Sequence, residues 1–238
     1  MYENKVALVT GASRGVGLEI CNHFLKNGGT VIGISKGSAS IENVNYHHFS
    51  IDLGDSEALV ECFKKQISKQ FKSIDFVINN AAVLTSQYAM IMPVKNAVDM
   101  VNVNLLGVFF VSREAAKLMR KNAYSRIINI SSMAVSLEPA GDSIYAATKV
   151  AIQTIANVMA KEFSSMNITC NTLAISAIET DMLQSHSPTA QIKIKEIIAS
   201  MPIARVAEVD DILNVIDFYA SARSSYITAQ VLYLGGLN

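Results

Sequence analysis

The chain has 238 residues, 50% hydrophobic and 17% charged, with 20 basic residues balanced by 20 acidic ones. That supplies one large apolar core and excludes the single-sign field that would hold nucleic acid or an anionic membrane. Cys21, Cys62 and Cys170 are odd in number and far apart, which excludes a disulfide framework or a zinc cluster, and no metal site is expected.

The first apolar run, Val6-Ala-Leu-Val-Thr10, predicts a buried strand over 6–10. Leu18, Cys21, Phe24 and Leu25 follow at helical spacing, so a helix over 17–27 stops at Gly28-Gly29. Strands follow over 30–35 and 46–51, and Leu59, Cys62, Phe63 and Ile67 form the apolar stripe of a helix over 55–71. A fourth strand over 74–79 leads to a long helix over 96–121, a fifth strand over 126–131 and a second long helix over 143–163. A sixth strand over 168–174, a helix over 208–220 and a seventh strand over 230–234 complete the pattern. Strands buried on both faces, each followed by a helix, imply a parallel sheet covered on both sides. The expected fold is therefore α/β: one domain over 1–238, a seven-stranded parallel sheet with helices on both faces. Residues 183–201 break the alternation around Ser185-His186-Ser187-Pro188 and read as a lid. The opening residues lack the basic and apolar regions of a signal peptide, and no apolar run reaches the ~20 residues of a membrane span. The expectation is a soluble, cytoplasmic protein.

Thr10-Gly-Ala-Ser-Arg-Gly-Val-Gly17 joins the first strand to the first helix. Gly11 permits the tight turn, Gly15 lets backbone approach a pyrophosphate, and Gly17 lets helix pack on strand. The helix N-terminus offers free N–H groups to phosphates, with Ser13 and Val16 completing the cradle. The second strand ends Ile34-Ser35-Lys36-Gly37, without the acid that would hold the ribose 2′-hydroxyl of NAD. Arg14 in the loop and Lys36 beside Ser35 suit a 2′-phosphate, so NADP(H) is the expected cofactor; the alternative is that Lys36 is a solvated loop charge.

Tyr145-Ala-Ala-Thr-Lys149 sets a phenol and an ammonium one helical turn apart, with Ser132 thirteen residues upstream of Tyr145. A positive charge favours the phenolate and is expected to draw the Tyr145 pKa down toward the working range. A serine hydroxyl can meanwhile donate to a substrate oxygen. The group suits proton exchange with an alcohol or carbonyl oxygen.

In order along the chain stand the glycine loop, Asp52-Leu53, Asn79-Asn80-Ala81-Ala82, Asn104, Ser132, and Tyr145 with Lys149. Together they closely resemble the short-chain dehydrogenase/reductase family over nearly the whole chain. The resemblance implies a Rossmann fold in which Asp52 and the Leu53 backbone hold adenine, and Asn79 and Ala81 line the cofactor and steady the central strand. It implies that Asn104 kinks its helix and holds a water leading to Lys149, that Ser132 rather than Ser131 polarises the substrate oxygen, and that Tyr145 is the general acid in reduction. Lys149 would bind the nicotinamide ribose, and Ile178 and Thr180 would grip the carboxamide.

Within the family the chain is most similar to 3-oxoacyl-carrier-protein reductases, through Leu8 to Gly17, Ile178-Glu-Thr-Asp-Met182, Tyr226-Ile-Thr228 and Gly235-Gly236. That likeness implies reduction of a 3-oxoacyl thioester on an acyl carrier protein by a homotetramer or homodimer. The chain departs at Ile175-Ser176, where the family has Pro-Gly, and at Ala123 and Met166, where carrier-docking cations are usual; Arg120, Lys121 and Arg126 stand near the first. An acyl-CoA, sugar, steroid or other small alcohol or ketone stays open as substrate, as does a non-catalytic nucleotide-binding regulator.

Overall fold

The computed structural model describes residues 1–178, 196, 198–199 and 201–236. Its strands are β1 (Val6–Thr10), β2 (Thr30–Ser35), β3 (Tyr46–Ser50), β4 (Phe76–Asn79), β5 (Ser125–Ser132), β6 (Ile168–Ile175) and β7 (Val231–Tyr233). They pair in parallel throughout, in the order β3-β2-β1-β4-β5-β6-β7. This is the expected single α/β, Rossmann-like sheet.

The strand order reverses between β1 and β4. Chains leaving these neighbouring strands turn to opposite faces and open a crevice at their carboxyl ends. Helix α1 (Gly15–Lys26) and helix α8 (Val209–Ala220) cover one face, around Ile20, Phe24, Ile212 and Ile216. On the other face α2 (Ser56–Cys62) continues through a π-helical turn, Phe63–Ile67, into α3 (Ser68–Gln70). Beside it lie α4 (Val94–Val101), α5 (Val108–Met119) and α7 (Ser143–Glu162), packed through Leu59, Val111, Met119 and Ala156; short α6 (Ala134–Leu137) precedes α7. Cys21, Cys62 and Cys170 are free thiols buried in these two layers.

Three expectations needed correction. The fourth strand starts at Phe76, because Asp75 turns its carboxylate back on the Val6 N–H (2.9 Å) and Lys5 (3.0 Å). The long helix over 96–121 starts earlier, after Pro93, and carries a π-helical stretch, Asn102–Gly107, between α4 and α5. Over Val94–Met119 it is also long and apolar enough to cross a membrane, at 26 residues and mean hydropathy 1.3. Reading only unbroken apolar runs overlooked this, because Asn102 and Asn104 interrupt them. Here its inner residues Val111, Ala115 and Met119 pack on the sheet.

Candidate active site

The glycine loop occupies the β1 side of the crevice. Gly11 and Gly15 both have positive φ, +70° and +55°. A Cβ on Gly15 would meet nothing within 4 Å, so the backbone there faces open space. A Cβ on Gly17 would stand 2.2 Å from the Gly11 carbonyl oxygen, so only glycine fits. Gly17→Ala is expected to destabilise the fold by ~2–3 kcal/mol in chemical denaturation, as overpacking does. Gly15→Ala is expected to cost only the ~1–2 kcal/mol of left-handed backbone, while weakening dinucleotide binding in titrations.

The start of α1 tests whether a dinucleotide fits. The first turn carries no acidic residue, and Arg14, at the N-cap, makes no side-chain capping bond. Its leading N–H groups are thus left for an anion, and the open backbone at Gly15 gives that anion room. Arg14 is exposed, and Val16 packs partly into the core below it. Beyond β2, Ser35 donates to the Gly37 carbonyl (3.2 Å), and Ser40 donates to the Ser13 carbonyl (3.0 Å), tying this loop to the glycine loop. Lys36 is not a lone cation: its ammonium pairs with Asp52 at 2.7 Å. The Gly54 N–H also donates to Asp52 (2.9 Å), and both contacts hold that carboxyl below its ordinary range. Leu53 is buried and packs against Gly107.

On the β4 side, the Asn80 and Ala81 N–H groups both donate to the Thr10 hydroxyl at 3.0 Å, and the Asn80 amide donates to the Thr10 carbonyl at 3.0 Å. Thr10 and Asn80 thereby lock the two walls together, roles the sequence reading missed. Asn79 instead turns into the core, donating to Ser112 (2.9 Å) and Asn129 (2.8 Å). His48 was missed as well. It contacts the Gly37 carbonyl through Nε2 (2.8 Å) and the Tyr46 hydroxyl through Nδ1 (2.9 Å). The signal was faint: a polar residue on a strand otherwise read for its apolar pattern.

Ser132 ends β5, Tyr145 and Lys149 lie on α7, and Asn104 lies on the π-helical stretch. The Ser132 hydroxyl lies near enough to the Tyr145 phenol to favour its ionised form. It also accepts from the Ala134 N–H at 3.1 Å. Ser131 donates to the Lys149 carbonyl at 3.2 Å. Lys149 is 3% exposed. Its ammonium donates to the Ile130 carbonyl at 2.8 Å and lies 5.7 Å from the Tyr145 ring centre. Asn104 is fully buried; it accepts from the Val83 N–H (2.8 Å) and donates to the Val83 carbonyl (2.9 Å) and Thr148 (3.3 Å). It pins the loop after β4 to α7, with Thr148 as a further missed contact.

The expected lowering of the Tyr145 pKa is overturned here. Burial is the largest cause and holds the phenol above its ordinary value; the nearby Ser132 hydroxyl opposes this and the Asp142 charge adds to it. Burial also pulls Lys149 down to about 8. Its ammonium donates to the Ile130 carbonyl, and desolvation sets the direction at the phenol.

Ile178 is buried and bridges to Ala207 beside the Ala207 N–H to Ala177 carbonyl bond (2.9 Å). Thr180, and nearly all of the lid, lie outside the described residues. Ile175 ends β6, its carbonyl accepting from the Met133 N–H at 2.9 Å, and Ser176 follows the strand. Arg126 cannot dock a partner, because it is 1% exposed and spends its guanidinium on the Tyr219, Ser125 and Ser221 carbonyls. Arg120 and Lys121 remain exposed.

The crevice, its glycine cradle and a tyrosine–serine–lysine group at one end define an oxidoreductase of the nicotinamide-dependent kind. The chain belongs to the short chain dehydrogenase family, whose model matches residues 5–191. It is similar to the 3-oxoacyl-[acyl-carrier-protein] reductase of Vibrio harveyi, 32% identical over 240 residues that cover 98% of this chain and 97% of the relative. The enzyme of that name from Escherichia coli is also 32% identical, over 241 residues covering 99% and 97%. Among solved structures, ligand-free aldohexose dehydrogenase of Thermoplasma acidophilum superposes with a TM-score of 0.89 at 26% identity, covering 99% of this chain and 94% of its own. The protein is thus an oxidoreductase acting on CH–OH or C=O groups.

Proposed function

We propose that the protein reduces the ketone of a 3-oxoacyl thioester with NADPH, giving the 3-hydroxyacyl product. The observation that carries this reading is Ser132 beside Tyr145, with Lys149 buried one helical turn further along α7, in a fold whose first strand–helix turn is the glycine cradle. The reductases it resembles over nearly its whole length support the substrate class.

Gly11, Gly15 and Gly17, with the first N–H groups of α1, would hold the pyrophosphate. Arg14 would meet the 2′-phosphate, with Lys36 held at the same edge by Asp52. When bound, the cofactor supplies a hydride for the carbonyl carbon. Ser132 orients the carbonyl oxygen and Tyr145 delivers the proton to it. A phenol held above its ordinary pKa is protonated at neutral pH, the form reduction requires. Lys149 would bind the ribose, and its charge would steady the phenolate left after proton transfer.

The assay is NADPH consumption with a 3-oxoacyl carrier thioester, its CoA counterpart and free ketones. Preference for the carrier thioester is expected; equal or better use of CoA would refute a carrier substrate. NADPH is expected to outcompete NADH, and Arg14→Ala to lose most of that preference; a wild-type preference for NADH sinks the cofactor assignment. Leu106 on the π-helical stretch and Val150 and Val158 on α7 are exposed. They support assembly into a homodimer or homotetramer through the two long helices, which light scattering would report as a mass well above 25.8 kDa.

A further inference from the structure

Gly33 lies inside β2, where a glycine packs nothing and weakens the strand. Its reason is on the neighbouring strand: a Cβ at Gly33 would stand 2.3 Å from the Tyr46 hydroxyl, which crosses over it. Tyr46 is buried, and its hydroxyl lies 2.9 Å from Nδ1 of His48, two residues on along β3. His48 Nε2 in turn lies 2.8 Å from the Gly37 carbonyl. A carbonyl only accepts, so Nε2 carries a proton, and Nδ1 of the neutral ring accepts from Tyr46. Missing side chain, phenol and imidazole thus form a strut running from inside the sheet to the loop that follows β2.

The far end of the strut meets the glycine loop. A Cβ on Gly37 would stand 3.3 Å from the Ser13 hydroxyl, and Ser40 donates to the Ser13 carbonyl at 3.0 Å. Lys36, one residue before Gly37, holds its ammonium on Asp52. The N–H groups of Gly37, Ser38 and Ala39 belong to exposed residues and have no acceptor among the described residues. In a dinucleotide-binding sheet, the residues just beyond the second strand meet the adenosine ribose. We propose that His48 is a positioning residue for cofactor choice: it fixes the 36–40 loop so that its free N–H groups and Lys36 meet a phosphate on the ribose 2′-oxygen. The proposal rests on the reading of the cofactor as NADP(H).

The test measures binding by calorimetry, with adenosine 2′,5′-bisphosphate, 5′-AMP and nicotinamide mononucleotide as probes. It compares wild type with His48→Leu, His48→Gln and Tyr46→Phe, with a melting curve for each. Wild type is expected to bind the bisphosphate more tightly than 5′-AMP. Leucine fills the place of the ring but donates nothing, so the loop must be ordered by the ligand. His48→Leu is expected to weaken the bisphosphate ~10-fold while changing 5′-AMP and nicotinamide mononucleotide by less than ~3-fold. The amide of His48→Gln can donate to the same carbonyl, and is expected to bring the bisphosphate back within ~3-fold of wild type. Tyr46→Phe removes only the hydroxyl that orients the ring, and is expected to lose ~3-fold on the bisphosphate alone. Equal losses on both nucleotides, no loss, or a Gln variant no better than Leu would overturn the proposal. If His48→Leu does not fold, Tyr46→Phe decides: without a selective loss there, the strut has no part in binding. A wild type that binds the two nucleotides equally sinks the NADP(H) reading, and the role of His48 with it. A wild type that prefers the bisphosphate, with a ratio unchanged in every variant, overturns the role of His48 alone.

Discussion

Replacing Tyr145 with Phe is expected to lower kcat for ketone reduction by ~10³-fold while leaving NADPH affinity within a few-fold of wild type. In the proposed reaction the phenol delivers the proton to the substrate oxygen that Ser132 orients, and the two side chains lie close together. Phe keeps the ring and its packing, so stability should change by no more than ~1 kcal/mol. Transient kinetics and a cofactor titration check both halves. Retained turnover would show that another group protonates the substrate oxygen. In the wild type, the rate of reduction is expected to hold through neutral pH and to fall as pH rises past about 8, where Lys149 loses the charge that steadies the phenolate. The phenol itself, held up by burial, ionises later than a solvated tyrosine.

Lys149→Met is expected to separate activity from stability. The ammonium is buried with the Ile130 carbonyl as its acceptor, and its pKa is about 8 in place of 10.5. The unfolded chain therefore binds the extra proton between these values while the folded chain has released it. Stability from this group rises with pH across that window, and below it the full desolvation cost is present. The gap corresponds to about 3 kcal/mol near neutral pH. An unbranched apolar side chain removes this cost, so the variant should be more stable than wild type at neutral pH and lose the alkaline gain. Its turnover should fall by at least ~10²-fold, because the charge that steadies the phenolate is gone. Denaturant titrations at neutral and alkaline pH, alongside kinetics, decide it. A variant less stable than wild type at neutral pH would mean that the ammonium is net stabilising where it lies.

Both experiments depend on side chains that the sequence had already grouped. The glycine spacing foretold the turn and close approach at Gly11, Gly15 and Gly17, because positive φ and missing Cβ atoms are properties of the residue type itself. Ser132 lies beside Tyr145, while Ser131 turns to the Lys149 carbonyl. Strand order was within reach of the alternating pattern, since right-handed crossovers leave few ways to wind such a chain. Arg126 was not. It reads as a surface cation near a strand start, yet it is buried beneath the end of α8, 93 residues away from the Tyr219 carbonyl it binds.

By itself the sequence determined the class of fold, and it named candidates for exchanging a proton and holding a dinucleotide. Periodicity, turn chemistry and functional groups are local and survive in a one-dimensional string. Only the tertiary structure decided the electrostatics. Lys36 met Asp52, the Lys149 ammonium met a carbonyl, and burial raised the phenol that a charge-only argument had lowered. Desolvation depends on everything packed around a group, much of it distant in the chain, and spacing along a sequence carries no record of it.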